Sequence, residues 1–482
     1  IEFAAERNEK LLNLYLKENY CKKIWINQMK QMIKENEIYI CACGSALNDE
    51  GIKEFMYILH RLTITNYNDG EFKGRIYKIA HDKNGNKISH IKILSGNLKV
   101  KDELTYKCVD EKISEKINQI RIYNSNKYET ANYAQAGQLI GVTGLDNSRA
   151  GQGLGNVENK VDYNMIPTLR SKAIFDSSMN VNEVIKAFNM LNEEDPSLKV
   201  DWNEELQEIH IQVMGAVQLE ILEKIIRDRF DLSVEFGEPG IIYKETIKDT
   251  VCGYGHYEPL RHYAEVHLKI EAGARNGGIV FENLCHIDDL ARGHQNLIKQ
   301  YILEGDHKGL LTGSSLTDVK ITLLTGRAHN KHTSGGDFRE ATSRALRQGL
   351  EKADNILLEP YYNFKIKIDS DNMGKVLSDI EKASGAFAPP ETVGKKFIIR
   401  GSVPVSTFMN YPTKLAAFTG GKGVINLSFG GYDVCHNEDD VIEDINYDKN
   451  ADMENSSSSV FCSKGQSYIV PWYEAEDKMH CL

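Results

Sequence analysis

The hydrophobic period of this chain keeps switching between two and 3.6 residues, and that switching restricts its fold more than any other feature. Residues 207–213 alternate apolar and polar side chains as a half-buried strand does. Residues 216–229 space them as an amphipathic helix, and 232–236 return to alternation before Gly237-Glu238-Pro239. The same order recurs at larger scale: a strand over 263–270, a helix near 290–303, a strand over 317–325 and a helix over 338–352. A third unit follows Glu359-Pro360, with strands near 364, 397 and 424 and a helix near 377. Strands and helices joined by short links imply open sheets with helices on one face. At 482 residues the chain is too long for one ordinary domain, and 41% hydrophobic residues suffice for several cores.

The first third reads differently. Residues 1–37 suggest helices and 38–42 a short strand leading into Gly44-Ser45-Ala46-Leu47; a further helix carries Ile52, Phe55, Met56, Leu59 and Leu62. This is the pattern of the last strand and helices of a parallel-sheet domain. From Gly70 to about Asp146, short alternating runs are separated by turn residues every 8–12 positions, as in a β-barrel. The expected fold class is therefore multidomain α/β and α+β: a parallel-sheet remnant, a β-barrel and three α+β units of ferredoxin-like or βαβ type.

Composition removes several function classes. No run of about 18 uncharged apolar residues occurs, so no spanning helix is expected. The opening residues lack the basic-then-apolar pattern of a signal peptide, and the absence of an initial Met marks the chain as a fragment. Nine dispersed cysteines, the tightest pair being Cys41-Ala42-Cys43, fit reduced thiols in a cytoplasmic protein. The net charge of −11 conceals segregation: eight of the fourteen histidines lie between His256 and His332, and residues 436–459 carry eight acidic side chains against Lys449 alone. That acidic stretch, ending in four serines, reads as a disordered tether. The aromatic segment over 460–482 beyond it reads as a docking segment.

No self-contained active site is legible. Gly421-Lys422-Gly423 is the nearest approach to a phosphate-binding loop, and its final glycine offers no hydroxyl to Mg²⁺. Gly-x-Ser-x-Gly and His-Glu-x-x-His are missing as well, so no catalytic residue is assigned. His256, His262 and His267, with His329 and His332, could be weighed as metal ligands. Gly326 and Ser334-Gly335-Gly336 make the last two loop residues, however, and no metal is assigned. The same stretch is better read electrostatically. Arg327, His329, Asn330, Lys331 and His332 supply donors to phosphate, and small neighbours let the backbone approach. Arg261 and His262, and His307 with Lys308, occupy two further connections. If the three loops share one end of the domain, they form a cationic tip on an acidic protein. Ser45-Ala46-Leu47 follows a predicted strand and precedes a helix, which fits either a helix N-cap or a ligand loop of an open sheet.

The order of these units, over roughly residues 1–435, resembles the translational GTPases of the elongation factor G class. Gly215-Ala216-Val217-Gln218-Leu219-Glu220 is similar to a third-domain motif, and Ala353-Asp354-Asn355-Ile356-Leu357-Leu358-Glu359-Pro360 to the fourth-to-fifth junction. Leu415-Ala416-Ala417-Phe418-Thr419-Gly420-Gly421-Lys422-Gly423 is similar to a fifth-domain motif. Asp337-Phe338-Arg339 and the extension beyond 435 resemble the tetracycline-resistance ribosomal protection proteins within that class. The family's Ser-Pro-Val-like tip is replaced here by Asn330-Lys331-His332.

The resemblance implies the following domains: 1–66, the end of a P-loop GTPase domain; 67–160, the barrel; 161–246, the third domain; 247–358, a fourth domain that reaches the decoding site; 359–435, the fifth. The tether (436–459) and docking segment (460–482) follow. It also implies that Ser45, Ala46 and Leu47 are the residual guanine-recognition motif, and that GTP and Mg²⁺ belong to the full-length protein. This chain alone would not hydrolyse GTP. Its partner would be the ribosome, at small-subunit decoding rRNA and the large-subunit factor-binding region, and it would act as a cytoplasmic monomer without a membrane. Arg261, His262, His307, Lys308, Arg327, His329, Asn330, Lys331 and His332 would contact rRNA. A translocation factor without resistance activity, a binding module that is no GTPase, and a metal-dependent hydrolase remain as alternatives.

Overall fold

The computed structural model describes residues 2–6, 9–17, 22–63, 67, 69–108, 111–125, 127–159, 166–176, 179–204, 207–394 and 396–481. The expected domain borders at 66 and at 160–161 fall on residues outside this set. The chain divides into two compact units, residues 1–162 and 163–482.

In the first unit, helices Glu9–Leu16 and Lys22–Lys34 bury Leu11, Trp25 and Met32 together with Ala5 and Ile38. The strand expected over 38–42 is not formed. Tyr39 is exposed and residues 38–44 form no regular element before a bridge between Ser45 and Glu50, since a parallel strand needs sheet neighbours and none is present among the described residues. The barrel segment is built as a six-stranded antiparallel sheet running from Gly153–Leu154 through Lys73–His81, Lys87–Ser95, Leu139–Thr143 and Gln119–Asn124 to Lys127–Ala131. Two two-stranded ribbons accompany it. Ile76, Ile79, Ile91, Ile93, Ile120, Ile140 and Val142, all at inward positions, make one core with Leu98 and Tyr106 of the ribbons.

Among the described residues the second unit holds three sheets. Strand Leu169–Phe175 is central to a five-stranded sheet covered by helices Val181–Glu194 and Ala216–Phe230, whose Phe188, Leu191, Leu219 and Ile226 fill the interface. Strand Asn355–Asp369 organises a seven-stranded sheet, pairing on one side with Lys396–Pro404 and on the other with Val424–Val434. The third sheet holds the site. Its strands are β1 (Val251–Tyr257), β2 (Ala264–Ala272), β3 (Ile279–Asn283), β4 (Val319–Ala328), β5 (Ser459–Ser463) and β6 (Gln466–Val470), in the order β3-β4-β2-β1-β5-β6. Helices α1 (Arg292–Glu304) and α2 (Gly335–Lys352) pack on it around Ile298, Phe338, Ala341, Ala345 and Leu350. The backbone of α2 lies directly on β1, because Gly253 and Gly255 present no Cβ to it. No described helix is long and apolar enough to cross a membrane.

The acidic stretch over 436–459 is not a disordered tether. It forms helix Glu438–Ile445, buries Val441 against Leu357 and Cys435, and accepts the Leu357 N–H on Glu438 at 2.9 Å. The count of acids overlooked their partners. Glu438, Asp439 and Asp440 sit in the first turn, where the helix dipole favours anions; Asp452 is held by Lys308, Asn455 and Tyr447. The segment beyond it docks within its own chain: β5 lies parallel to β1 through Tyr257 and Val460, and β5–β6 is a hairpin. Pro471 ends that hairpin and opens only a short helix, Trp472–Ala475.

Candidate functional site

The loop between β4 and α2 is fixed by its own small and polar residues. Thr333 Oγ1 accepts the His329 N–H at 2.7 Å and donates to the Tyr263 carbonyl at 2.6 Å. Ser334 caps α2 reciprocally with Asp337: its N–H donates to Oδ2 at 2.8 Å and its hydroxyl to Oδ1 at 2.9 Å. Asp337 is buried and also pairs with half-exposed His262 at 2.7 Å, tying the β1–β2 connection to the start of α2. His329 and His332 stack with centroids 4.5 Å apart.

Tyr263, Arg327, Ala328, His329, Asn330, Lys331 and His480 line a cleft of about 530 Å³. Neither Arg327 nor Lys331 has a carboxylate within salt-bridge distance among the described residues; Arg327 instead donates to the His480 carbonyl at 3.3 Å. A shallow cleft with two cations that no carboxylate neutralises, two exposed imidazoles and an amide is suited to bind phosphate oxygens.

Of the predicted RNA-binding residues, Arg327, His329, Asn330, Lys331 and His332 come together, with His262 beside them. Arg261 is exposed in the adjoining turn, in a left-handed conformation. The third loop does not join them. His307 is only 5% exposed, bonded to the Ile302 carbonyl at 3.1 Å, and burial lowers its pKa below the ordinary histidine range. Lys308 is engaged by Asp452 at 3.3 Å, and its carbonyl accepts from Arg347 of α2. Arg347 is twelve residues beyond Gly335, which puts this loop about 18 Å further along the helix. Convergence of the first two loops follows from their both meeting Asp337; the third is held by the far half of α2.

Ser45, Ala46 and Leu47 lie in the first unit, in a turn closed by reciprocal Ser45–Glu50 backbone bonds of 3.0 Å. Leu47 is exposed, and the N-cap of helix Ile52–Leu62 is Gly51 rather than Ser45.

Sequence reasoning missed the group behind the cleft. Glu265 is 0% exposed and accepts His256 Nδ1 at 2.8 Å, His267 Nε2 at 2.9 Å, and the backbone N–H groups of His480 (2.9 Å) and Cys481 (2.8 Å). Burial alone would raise its pKa, but the donors from His256, His267, His480 and Cys481 outweigh burial and hold it far below the ordinary carboxylate range. His256, Glu265 and His480, and likewise Glu265, His267 and Cys481, bring donor atoms close enough to be weighed as metal ligands. Their hydrogen bonds already direct His256 and His267 at the carboxylate, while His262, His329 and His332 lie apart with Asp337 and the tip. A signal was present in β2: Ala264-Glu265-Val266-His267-Leu268 buries both of its faces, and its two polar members therefore need internal partners.

Three family models match in succession: elongation factor G domain III over residues 170–238, domain IV over 239–354 and the elongation factor G C-terminus over 356–442. The cleft's tip loop falls in the second, and β5–β6 falls beyond all three. The chain is 29% identical over 406 residues to a tetracycline resistance protein, TetP, of Clostridium perfringens, covering 83% of this chain and 62% of that protein. It thus spans less than two thirds of that relative's length. A crystal structure from Thermus thermophilus shares the fold, with a TM-score of 0.52 and 22% identity over 92% of this chain and 69% of that one.

Proposed function

The chain belongs to the elongation factor G-like family, and we propose that it is the ribosome-binding body of a translational GTPase that releases tetracycline from the small ribosomal subunit. The carrying observation is the pair of cations without a carboxylate partner among the described residues, Arg327 and Lys331, at the tip of the region matched by domain IV. Arg327, Lys331 and the stacked His329 and His332 bind rRNA phosphate; Ser334, Asp337 and His262 keep the loop in place for it. The likeness to TetP supports the release of drug as the outcome. GTP and Mg²⁺ would be supplied with the family's G domain. The 482 residues hold no phosphate or Mg²⁺ motif, and only the Ser45–Leu47 turn would face the guanine.

A translocation-type role without drug release is the second reading, favoured by the cationic Asn330-Lys331-His332 where protection proteins carry an uncharged tip. Small ribosomal subunits loaded with a fluorescent tetracycline and titrated with the protein separate the two. Binding with loss of bound drug supports protection, and binding with drug retained supports the second reading. Replacing Arg327 or Lys331 by Ala should lower the slope of log affinity against log salt by about 0.7–0.9 each. Absence of binding at low salt would refute both.

A further inference from the structure

We propose that the C-terminal strap, by occupying Glu265, keeps Arg327 out of an ion pair and at the tip cleft, so that Glu265 and the strap are positioning elements for the RNA contact; this rests on the function proposed above. Glu265 and Arg327 are direct cross-strand partners in the β2–β4 pair, where opposed side chains share a face at about 5 Å between Cβ atoms. Opposite charges so placed ordinarily pair. Here they do not, because each finds its partners in residues 480–481: the carboxylate takes the His480 and Cys481 N–H groups, and the guanidinium takes the His480 carbonyl.

The strap is anchored independently of that contact. Ser459 Oγ accepts the His256 N–H at 3.1 Å, and the Phe461 ring stacks on His256 at 4.2 Å. Phe461, Val470, Ala475 and Met479 form a small core against Tyr254, all of it upstream of residues 480–481. Remove the last residues, and a buried carboxylate loses two donors beside an unpaired guanidinium one strand away. The ion pair then forms, and the cation turns inward from the cleft.

The test is a chain ending at Met479, with its affinity for small ribosomal subunits measured across salt concentration. Its salt slope should fall by about 0.7–0.9, as for Arg327→Ala in the complete chain. Adding Glu265→Gln to the shortened chain should restore the slope, since an amide does not capture the guanidinium. Arg327→Ala in the shortened chain should change nothing further. A full slope in the shortened chain, or no rescue by Gln, overturns the proposal.

If Arg327→Ala leaves the slope of the complete chain unchanged, the RNA reading fails instead. The latch is then judged by a double-mutant cycle of Glu265→Gln and Arg327→Ala on urea midpoints. Coupling should be near zero in the complete chain and favourable in the shortened one; its absence there overturns the latch. Should the shortened chain not fold, His480→Pro deletes one strap N–H at full length, and the extended backbone of Met479 (φ −65°, ψ 148°) accommodates a following proline. The same slope loss and Gln rescue are expected of it, and their absence overturns the proposal.

Discussion

Replacing Gly255 by Ala tests the contact on which the tip depends. A Cβ at this position would lie 2.0 Å from the Ala341 carbonyl and 2.4 Å from the Ala345 nitrogen. Both are backbone atoms of α2, so no side chain can rotate away. Restoring ordinary contact at 3.4 Å requires lifting the helix by about 1.4 Å. A gap of even 0.5–1 Å forfeits roughly a quarter to a half of the dispersion well for the atoms lining it. Phe338, Ala341, Ala345 and Leu350 are fully buried on that face and would all feel it. Overpacking costs up to about 3 kcal/mol, and relief of glycine's chain entropy returns about 0.5–1, leaving up to about 2–2.5 kcal/mol of destabilisation.

Hydrogen exchange of the α2 amides is the assay, because it isolates this helix from the rest of a multidomain chain. Exchange through opening of the helix should quicken about 30- to 70-fold at 2–2.5 kcal/mol. Since the first turn of α2 holds Ser334, Asp337 and His262, protection of the tip loop should fall with it. Gly374→Ala is the control. Nothing lies within 4 Å of that position in helix Met373–Lys382, and about 0.4–1 kcal/mol of stabilisation is expected. Unchanged α2 exchange in the Gly255 variant would refute the close helix–sheet approach and, with it, the route by which the sheet positions the tip.

Three further outcomes can be checked. Burial raises the Asp452 pKa, but Asn455, Tyr447 and Lys308 outweigh it and lower it to about 2. A depressed carboxylate stabilises fully above its unfolded pKa and loses that contribution as pH falls through the folded value, so Asp452→Asn should cost on the order of 1–2 kcal/mol at pH 6. The variant should also flatten the loss of urea stability between about pH 4 and pH 2. Equal pH profiles for parent and variant would contradict this. Burial pushes the Cys435 thiol up to about 11, whereas Cys41 and Cys43 are exposed; iodoacetamide at pH 8 should label the latter pair first, as read by peptide mass mapping. Glu359 is fully buried and accepts the His436 N–H at 2.8 Å, His436 Nδ1 at 2.7 Å and the Ser406 hydroxyl at 2.9 Å, so Glu359→Ala should cost about 2–4 kcal/mol in urea unfolding. A cost under 0.5 would show those donors satisfied elsewhere.

What was legible in the chain is what local physics writes there. The sequence pattern announced a helix over 338–352; the structure starts α2 three residues earlier, at Gly335, because the Ser334–Asp337 cap turns the glycines that read as loop into its first turn. Arg327, His329, Lys331 and His332 are near neighbours in sequence, so any tight loop between β4 and α2 was bound to gather them. The acids of 436–459 misled because a charge count carries no information about donors, and Asp452 found Lys308 across 144 residues. His307 misled for the related reason that a loop's composition does not say which end of a helix it will cover.

Period and propensity report the face on which a residue lies, and those belonged to the sequence by itself. Tertiary structure alone decided which partner meets that face. Glu265 and Cys481 are 216 residues apart, and nothing in either neighbourhood encodes the other. Their pairing follows from β5 choosing the edge of β1, from Phe461 finding the ring of His256, and from a buried carboxylate that cannot stay without donors.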